Sequence, residues 1–295
     1  MTARKKINLR VNELIDKYSN PSNSVEQLLC DHYPSDKLAY KIINENMEEY
    51  VLLYGELKTQ STLIANGLRK RGIKKGDRIA TLMGKSKEYI ITLLAIWRIG
   101  AVHVPLFTAF STPAITLRVM GSNSKIIFCD QKQQTKLKPS NEFTLHGKLD
   151  VITTASFEQT PNWADRWEDL LVTDSSTNDV LSLDPEAAII HIFTSGTTGD
   201  PKGVSLPVKA LACIEAYAEF AFDLRQTDIF WNAADPGWAY GLYCGVLATL
   251  TTGTPAILFE GGFSAQATIE IIEKQKVTNF AAAPTVYRSL RADGI

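Results

Sequence analysis

Cysteine is scarce in this chain and scattered: Cys30, Cys129, Cys213 and Cys244 are its 4 thiols, and no two of them form a Cys-x-x-Cys pair. That spacing suggests neither a zinc cluster nor a disulfide framework, so the thiols are read as reduced groups of the core or surface. An excess of one charge is also missing. With 31 basic against 32 acidic residues the net charge is −1, so no global field recruits nucleic acid or an anionic membrane, and any anion site has to be local. Long apolar runs are absent too. The most hydrophobic helix candidate, Glu88 to Ile99, falls short of the roughly 20 residues needed to span a bilayer. The basic opening Met1-Thr-Ala-Arg-Lys-Lys-Ile7 is followed by Glu13 and Asp16 without an apolar segment, which does not match a secretion signal and makes the cytoplasm the expected compartment.

What is present is enough apolar material for a large core. At 295 residues and 45% hydrophobic, the chain can form one large or two ordinary domains. Short apolar runs alternate with longer segments of helical period, the pattern of an α/β architecture with largely parallel sheets. Strands are expected at Arg78–Met83, Ala101–Val104, Lys125–Cys129, Ala187–Ile192, Asp228–Trp231, Ala256–Phe259 and Val277–Ala282. Helices are expected at Glu88–Arg98, Pro113–Met120, Lys209–Phe222, Leu242–Leu250 and Ala265–Lys276. Gln131 to Lys148 shows no period and reads as a long surface connection, and Thr173 to Leu183 as a second one. No internal repeat is found.

The densest chemistry lies directly after the run Ala187 to Ile192. Phe193-Thr-Ser-Gly-Thr-Thr-Gly-Asp-Pro-Lys-Gly203 places 4 hydroxyls, 3 glycines and 1 lysine in one short stretch. Glycines let a backbone approach a phosphate and turn its N–H groups inward, hydroxyls donate to phosphate oxygens, and a lysine adds a full charge. A flexible Ser/Thr/Gly hairpin would have this composition, but it has no need of a Pro-Lys-Gly ending or of a buried strand upstream. The nucleotide triphosphatase P-loop requires a second glycine where Pro201 stands, so that motif is absent.

This segment resembles the phosphate-binding loop of the acyl-adenylate-forming superfamily, which comprises acyl-CoA synthetases, luciferases and peptide-synthetase adenylation domains. The family pattern is an aromatic residue, Thr-Ser-Gly-Thr-Thr-Gly, one variable residue, then Pro-Lys-Gly, and every fixed position is met. The resemblance extends to Tyr54-Gly-Glu-Leu57, Gly72–Ile79, Gly100-Ala-Val-His-Val-Pro105 and Ala281-Ala-Ala-Pro284, covering nearly the whole chain from about Leu38. It implies an α/β fold of two subdomains, with mostly parallel sheets flanked by helices: the N-terminal part of the adenylate-forming fold, divided near Leu183 into 1–183 and 184–295. Family members continue past the equivalent of Ile295 with a Tyr-Gly-x-Thr-Glu segment, a ribose-binding aspartate and a lid domain bearing a catalytic lysine. The resemblance therefore implies a truncated chain that is inactive alone.

By the same resemblance Thr194, Ser195, Gly196, Thr197, Thr198, Gly199 and Lys202 hold the phosphates of ATP, with Lys202 supplying charge in catalysis. A carboxylate then attacks the α-phosphorus, and coenzyme A thiolate displaces AMP. Magnesium is implied by the charge of the departing pyrophosphate. Ala234-Asp-Pro-Gly-Trp-Ala-Tyr-Gly241 resembles the Ala-Asp-x-Gly-Trp-x-x-Gly segment of short- and medium-chain acyl-CoA synthetases. That places Gly237 and Trp238 at the acyl pocket and thiol channel, against the plainer reading of a core tryptophan at a tight turn. The branch implied is acetyl-, propionyl- or medium-chain acyl-CoA synthetase. The alternative is a non-catalytic fragment that binds nucleotide or a partner.

His103 and His191 lie on expected strands and read first as hydrogen-bonded core residues; family members usually carry an apolar residue at the position of His191. Arg118 reads first as part of a solvated helix face. Tyr54–Leu57 and Gly72–Asp77 read as architectural.

Overall fold

The structure, a computed structural model, describes residues 2–145, 147–173, 182, 184–194 and 201–294. The chain opens with helix α1 (Ala3–Ser19), whose first turn is capped by the Thr2 hydroxyl. Strands β1 (Leu38–Ile43) and β2 (Glu49–Leu53) form a hairpin that runs straight into α2 (Tyr54–Lys70). An alternating run follows: β3 (Arg78–Leu82), α3 (Lys87–Arg98), β4 (Val102–Pro105), α4 (Thr112–Ser122) and β5 (Ile126–Cys129). Next come β6 (Asp150–Thr153), β7 (Asp165–Arg166) and the hairpin of β8 (Ala188–Thr194) and β9 (Lys202–Pro207). The last third holds α5 (Leu211–Phe220), β10 (Phe230–Asn232), and a π-helical segment Gly241–Leu247 that continues as α6 (Ala248–Thr252). It closes with β11 (Ala256–Phe259), α7 (Ala265–Gln275), β12 (Asn279–Ala281) and α8 (Pro284–Ala292).

The strands form two sheets, one of five in the order β12-β10-β11-β1-β2 and one of seven in the order β7-β6-β5-β3-β4-β8-β9. Each is parallel except for its last strand, β2 or β9, which pairs antiparallel across a hairpin. A parallel strand covered on both faces should read as continuous apolar sequence, and the side chains bear this out. Along β5, Ile126 and Phe128 join one cluster while Ile127 and Cys129 join another. Along β11, Ala256 and Leu258 face that first cluster while Ile257 and Phe259 pack with Trp231 and Ile271. The first cluster gathers residues of both sheets around α3, from Tyr40 and Phe230 to Ile79 and Ile190. Accordingly α3 is buried from Tyr89 to Arg98, as expected of a helix with apolar residues on every side.

The mixed α/β architecture with parallel sheets matches the expectation, and the expected strands and helices lie within a few residues of their places. Gln131 to Lys148 is exposed at most of its described residues, as expected of a surface connection, but it begins with the short helical turn Gln131–Leu137 and is pinned where Leu137, Phe143 and Leu145 are buried against β3, β4 and β5. Both sheets draw strands from either side of residue 183, since β1 and β2 join β10–β12 while β8 and β9 join β3–β7.

Candidate active site

The described ends of the hydroxyl- and glycine-rich segment lie on β8 and β9. Thr194 is the last residue of β8 and Lys202 the first of β9, and the two are cross-strand partners, with the Thr194 hydroxyl donating to the Lys202 carbonyl at 3.4 Å. Ser195, Gly196, Thr197, Thr198 and Gly199 lie outside the described residues. Lys202 is exposed. The hairpin geometry also explains Gly203. His191 stands on the neighbouring strand with its ring over this position, so a Cβ there would fall 2.3 Å from the His191 Nε2. His191 is half-buried; its Nδ1 is 3.0 Å from the Ser205 hydroxyl, and its ring meets Phe193 edge-on at 5.2 Å. Partial desolvation holds its pKa below the ordinary histidine value.

Beside the hairpin opens a cleft of about 610 Å³, lined by Phe107, Phe110, Arg118, Phe193, Thr194, Gly237 and Trp238 among others. It brings together the end of β8 and the Asp235–Trp238 turn, two motifs far apart in sequence. Trp238 is 52% exposed, so the plain core reading fails: its indole forms a wall. It also lines a second, mostly apolar cavity of about 480 Å³ between α5 and the π-helical segment, together with Ile214, Tyr217, Tyr240, Tyr243, Cys213 and Cys244. Burial raises the Tyr243 hydroxyl to about 12 and the Cys244 thiol to about 11, so both stay neutral near pH 7.

Arg118 does not lie on a solvated face. Its guanidinium stacks over the Phe110 ring at 4.0 Å and donates to the Ala114 carbonyl at 2.8 Å, and desolvation lowers its pKa. It is the charged side chain that the cleft lining contains. The sequence reading underweighted it because a single arginine on an amphipathic helix carries no signal of what it faces; the nearby Phe107 and Phe110 were the available clue.

His103 is fully buried on β4, with its Nε2 2.8 Å from the Thr81 hydroxyl and its ring edge-on to Tyr89 and Trp97. Burial drives its pKa down to about 3. It is a neutral core residue that does not line the cleft, as first read. Among the described residues no cluster of three or more His, Cys, Asp or Glu side chains is placed to hold a metal ion. No described helix is long and apolar enough to cross a membrane.

Sequence reasoning missed the groups behind the Trp238 turn: Lys85, Tyr89 and Thr108. Lys85 follows β3 and Thr108 follows β4, at the carboxyl ends of parallel strands where open α/β sheets place their binding crevices. That position was the signal that could have found them.

The family model described as AMP-binding enzyme matches residues 29–294. Curated relatives include an acetyl-coenzyme A synthetase of Shewanella baltica (strain OS195), 31% identical with 97% of this chain and 47% of the relative covered. Another, of Xanthomonas axonopodis pv. citri (strain 306), is 30% identical over 92% of this chain and 45% of its own length. Among solved structures, an acyl-CoA synthetase of Brucella canis superposes with a TM-score of 0.87 at 34% identity, covering 97% of this chain and 53% of that one. An anthranilate CoA ligase in complex with anthranoyl-AMP shares the fold at a TM-score of 0.78 and 19% identity, over 90% of this chain and 50% of that one. The chain thus spans about half the length of the relatives it matches.

Proposed function

This chain belongs to the AMP-binding enzyme family, and we propose that it forms the N-terminal part of an AMP-forming acid–thiol ligase that activates a short- or medium-chain carboxylate. The reaction joins the acid to the α-phosphate of ATP, releases pyrophosphate, and passes the acyl group to the thiol of coenzyme A with release of AMP. The observation that carries this reading is the single cleft shared by the phosphate-loop strand and the Trp238 turn. An acid seated there has its carboxylate beside the hairpin that would hold the triphosphate, and positioning is the main demand of such a transfer. Lys202, the hydroxyls of Thr194, Ser195, Thr197 and Thr198, and the amides of Gly196 and Gly199 would supply charge and hydrogen bonds to the phosphates. Magnesium would be carried by the phosphate oxygens, which need charge compensation whatever the protein supplies.

The apolar cavity that Trp238 also lines supports an acid with an apolar tail longer than that of acetate, because each buried CH₂ contributes roughly 0.8 kcal/mol where space exists for it. ATP and coenzyme A as co-substrates, and no charge excess toward nucleic acid or membrane, support a cytoplasmic enzyme of small molecules. Incubation of the protein in its full encoded length with ATP, coenzyme A and a graded series of acids, followed for AMP release, tests the reading. Acid-dependent release of ADP, or of no nucleotide, would overturn it. The half-length coverage favours a second reading for the 295 residues taken alone: a nucleotide- or partner-binding fragment without turnover. The same incubation on these residues separates the two.

A further inference from the structure

The turn that presents Trp238 is mounted on the opposite sheet. It follows β10 of the five-stranded sheet, where the Ala233 amide donates to the Ala281 carbonyl of β12 at 3.0 Å, and it is also held from the ends of β3 and β4 and from α3. Lys85 donates from Nζ to the Ala233 carbonyl at 3.1 Å, and Tyr89 donates from its hydroxyl to the Pro236 carbonyl at 3.2 Å. The Thr108 hydroxyl donates to the Asp235 Oδ2, while the other carboxylate oxygen accepts from the Gly237 amide at 2.7 Å. Gly237 lies against the backbone of Leu106, where a Cβ would fall 2.0 Å from the carbonyl oxygen. The Trp238 indole itself has only a tilted ring contact with Tyr240, at 6.1 Å. Its place is therefore set by the backbone beneath it.

Behind the turn is space rather than packing. A cavity of about 530 Å³, lined by Lys85, Thr108, Ala233, Asp235 and Pro236 on this side, separates the turn from the loops after β5 and β11. Desolvation works against the charge of both Lys85 and Asp235, and each partly restores the other. The two are not in direct contact: Lys85 is satisfied by the Ala233 carbonyl and Asp235 by Thr108 and Gly237, and loss of either hydrogen-bonding partner leaves a buried polar group unpaired, which is costly. The turn is packed on the Leu106–Phe107 backbone at Gly237, while on the side of the cavity polar tethers from Lys85 and Thr108 hold it in place.

We propose that Lys85 is a positioning residue that, together with Thr108, holds the Asp235–Trp238 turn away from the rear cavity and so sets from the seven-stranded sheet how far the indole projects into the cleft. The proposal rests on the reading that this cleft receives the acid. Cutting the Lys85 tether lets the turn recede and widens the room for the acyl tail.

The test uses the chain labelled with 5-fluorotryptophan and observed by ¹⁹F NMR, with the Trp238 resonance identified by its loss in Trp238→Phe. Lys85→Met is expected to shift or broaden that resonance while those of the buried Trp97 and Trp231 stay in place. Lys85→Arg should restore it, and Thr108→Val should disturb the same resonance. A Trp238 signal unchanged in both Lys85→Met and Thr108→Val overturns the proposal. So does a disturbance of all five tryptophans together that Lys85→Arg does not rescue, which is the mark of a merely structural residue. In the full-length enzyme, Lys85→Met is expected to raise kcat/KM for octanoate relative to acetate; an unchanged ratio also overturns it. Absence of all ligase activity would sink the functional reading and leave the NMR result standing.

Discussion

His103 shows how one buried side chain makes the stability of the whole depend on pH. Held neutral inside the sheet with a pKa of about 3, it rejects a proton that the unfolded chain accepts at about 6.5. Its contribution is complete above pH 6.5 and is lost as the pH falls toward 3, amounting to roughly 3–5 kcal/mol at the acid end. Asp235 acts in the opposite direction: with its pKa raised by burial, the folded state takes up the proton first, so its contribution is greatest at low pH and declines as the pH rises through the raised value. The expected result is a melting temperature that falls between pH 6.5 and 4 more steeply in the native chain than in His103→Gln. Parallel curves would show that His103 is not the group responsible. At the exposed Lys202 the expectation concerns binding instead. Lys202→Ala should leave the melting temperature unchanged and weaken ATP binding by about 1.5–3 kcal/mol, the loss of one charge-assisted contact; calorimetric titration with unchanged affinity would remove it from the phosphate site.

At the scale of elements, what was legible was whatever announced itself locally. The runs at β3, β5 and β11 are apolar on both faces, and α3 and α7 carry a helical period, so each was read within a residue or two. What stayed hidden depends on distant partners. Strand β9 is mostly exposed and lacks an apolar run, and it exists because β8 offers its edge; β1 pairs with β11, more than two hundred residues on. The Gln131–Lys148 stretch buries Leu137, Phe143 and Leu145 without a period because each fills a gap at the sheet margin. Of the site, the hairpin residues and Trp238 were legible as motifs, whereas Arg118 and Lys85 take their meaning from what folding sets beside them. Helix α1 is the sharpest case. Only Leu14 and Tyr18 of it are fully buried, and it is fixed by Glu215 on α5, a buried carboxylate that accepts from the Tyr18 hydroxyl, from Lys17 at 2.8 Å and from Arg10 at 3.0 Å. Both cations are about a third exposed, so solvent screens part of the interaction. Glu215→Ala is expected to cost about 2–3 kcal/mol in urea unfolding, and hydrogen exchange should quicken across Ala3–Ser19 before anywhere else. Exchange that quickens equally throughout would mean that α1 is not a separately docked element.

At the scale of the molecule, the two sheets are not two folding units. The five-stranded sheet needs β1 and β2 from the first third of the chain to cover β11, and the seven-stranded sheet needs β8 and β9 from beyond residue 183 to cover β4. One apolar cluster runs through both, with Tyr40, Leu52, Phe230 and Leu258 from one sheet and Ile79, Ile126, Phe128 and Ile190 from the other meeting around α3. The Trp97 indole in its centre donates to the Ile189 carbonyl at 3.0 Å, and the tethers to the Asp235–Trp238 turn cross the same boundary. Chains of this length often unfold in stages when their cores are separate; here the shared cluster couples each sheet to the other. Calorimetry is therefore expected to show a single transition, with far- and near-ultraviolet dichroism changing together. Residues 1–183 and 184–295 expressed apart are expected to lack fixed tertiary structure, because each would expose the face of α3 or the sheet edges that the other covers. Two resolved transitions, or a near-ultraviolet spectrum of native intensity from 184–295 alone, would show instead that the chain folds as two bodies and that the cleft beside Trp238 is an interface between them.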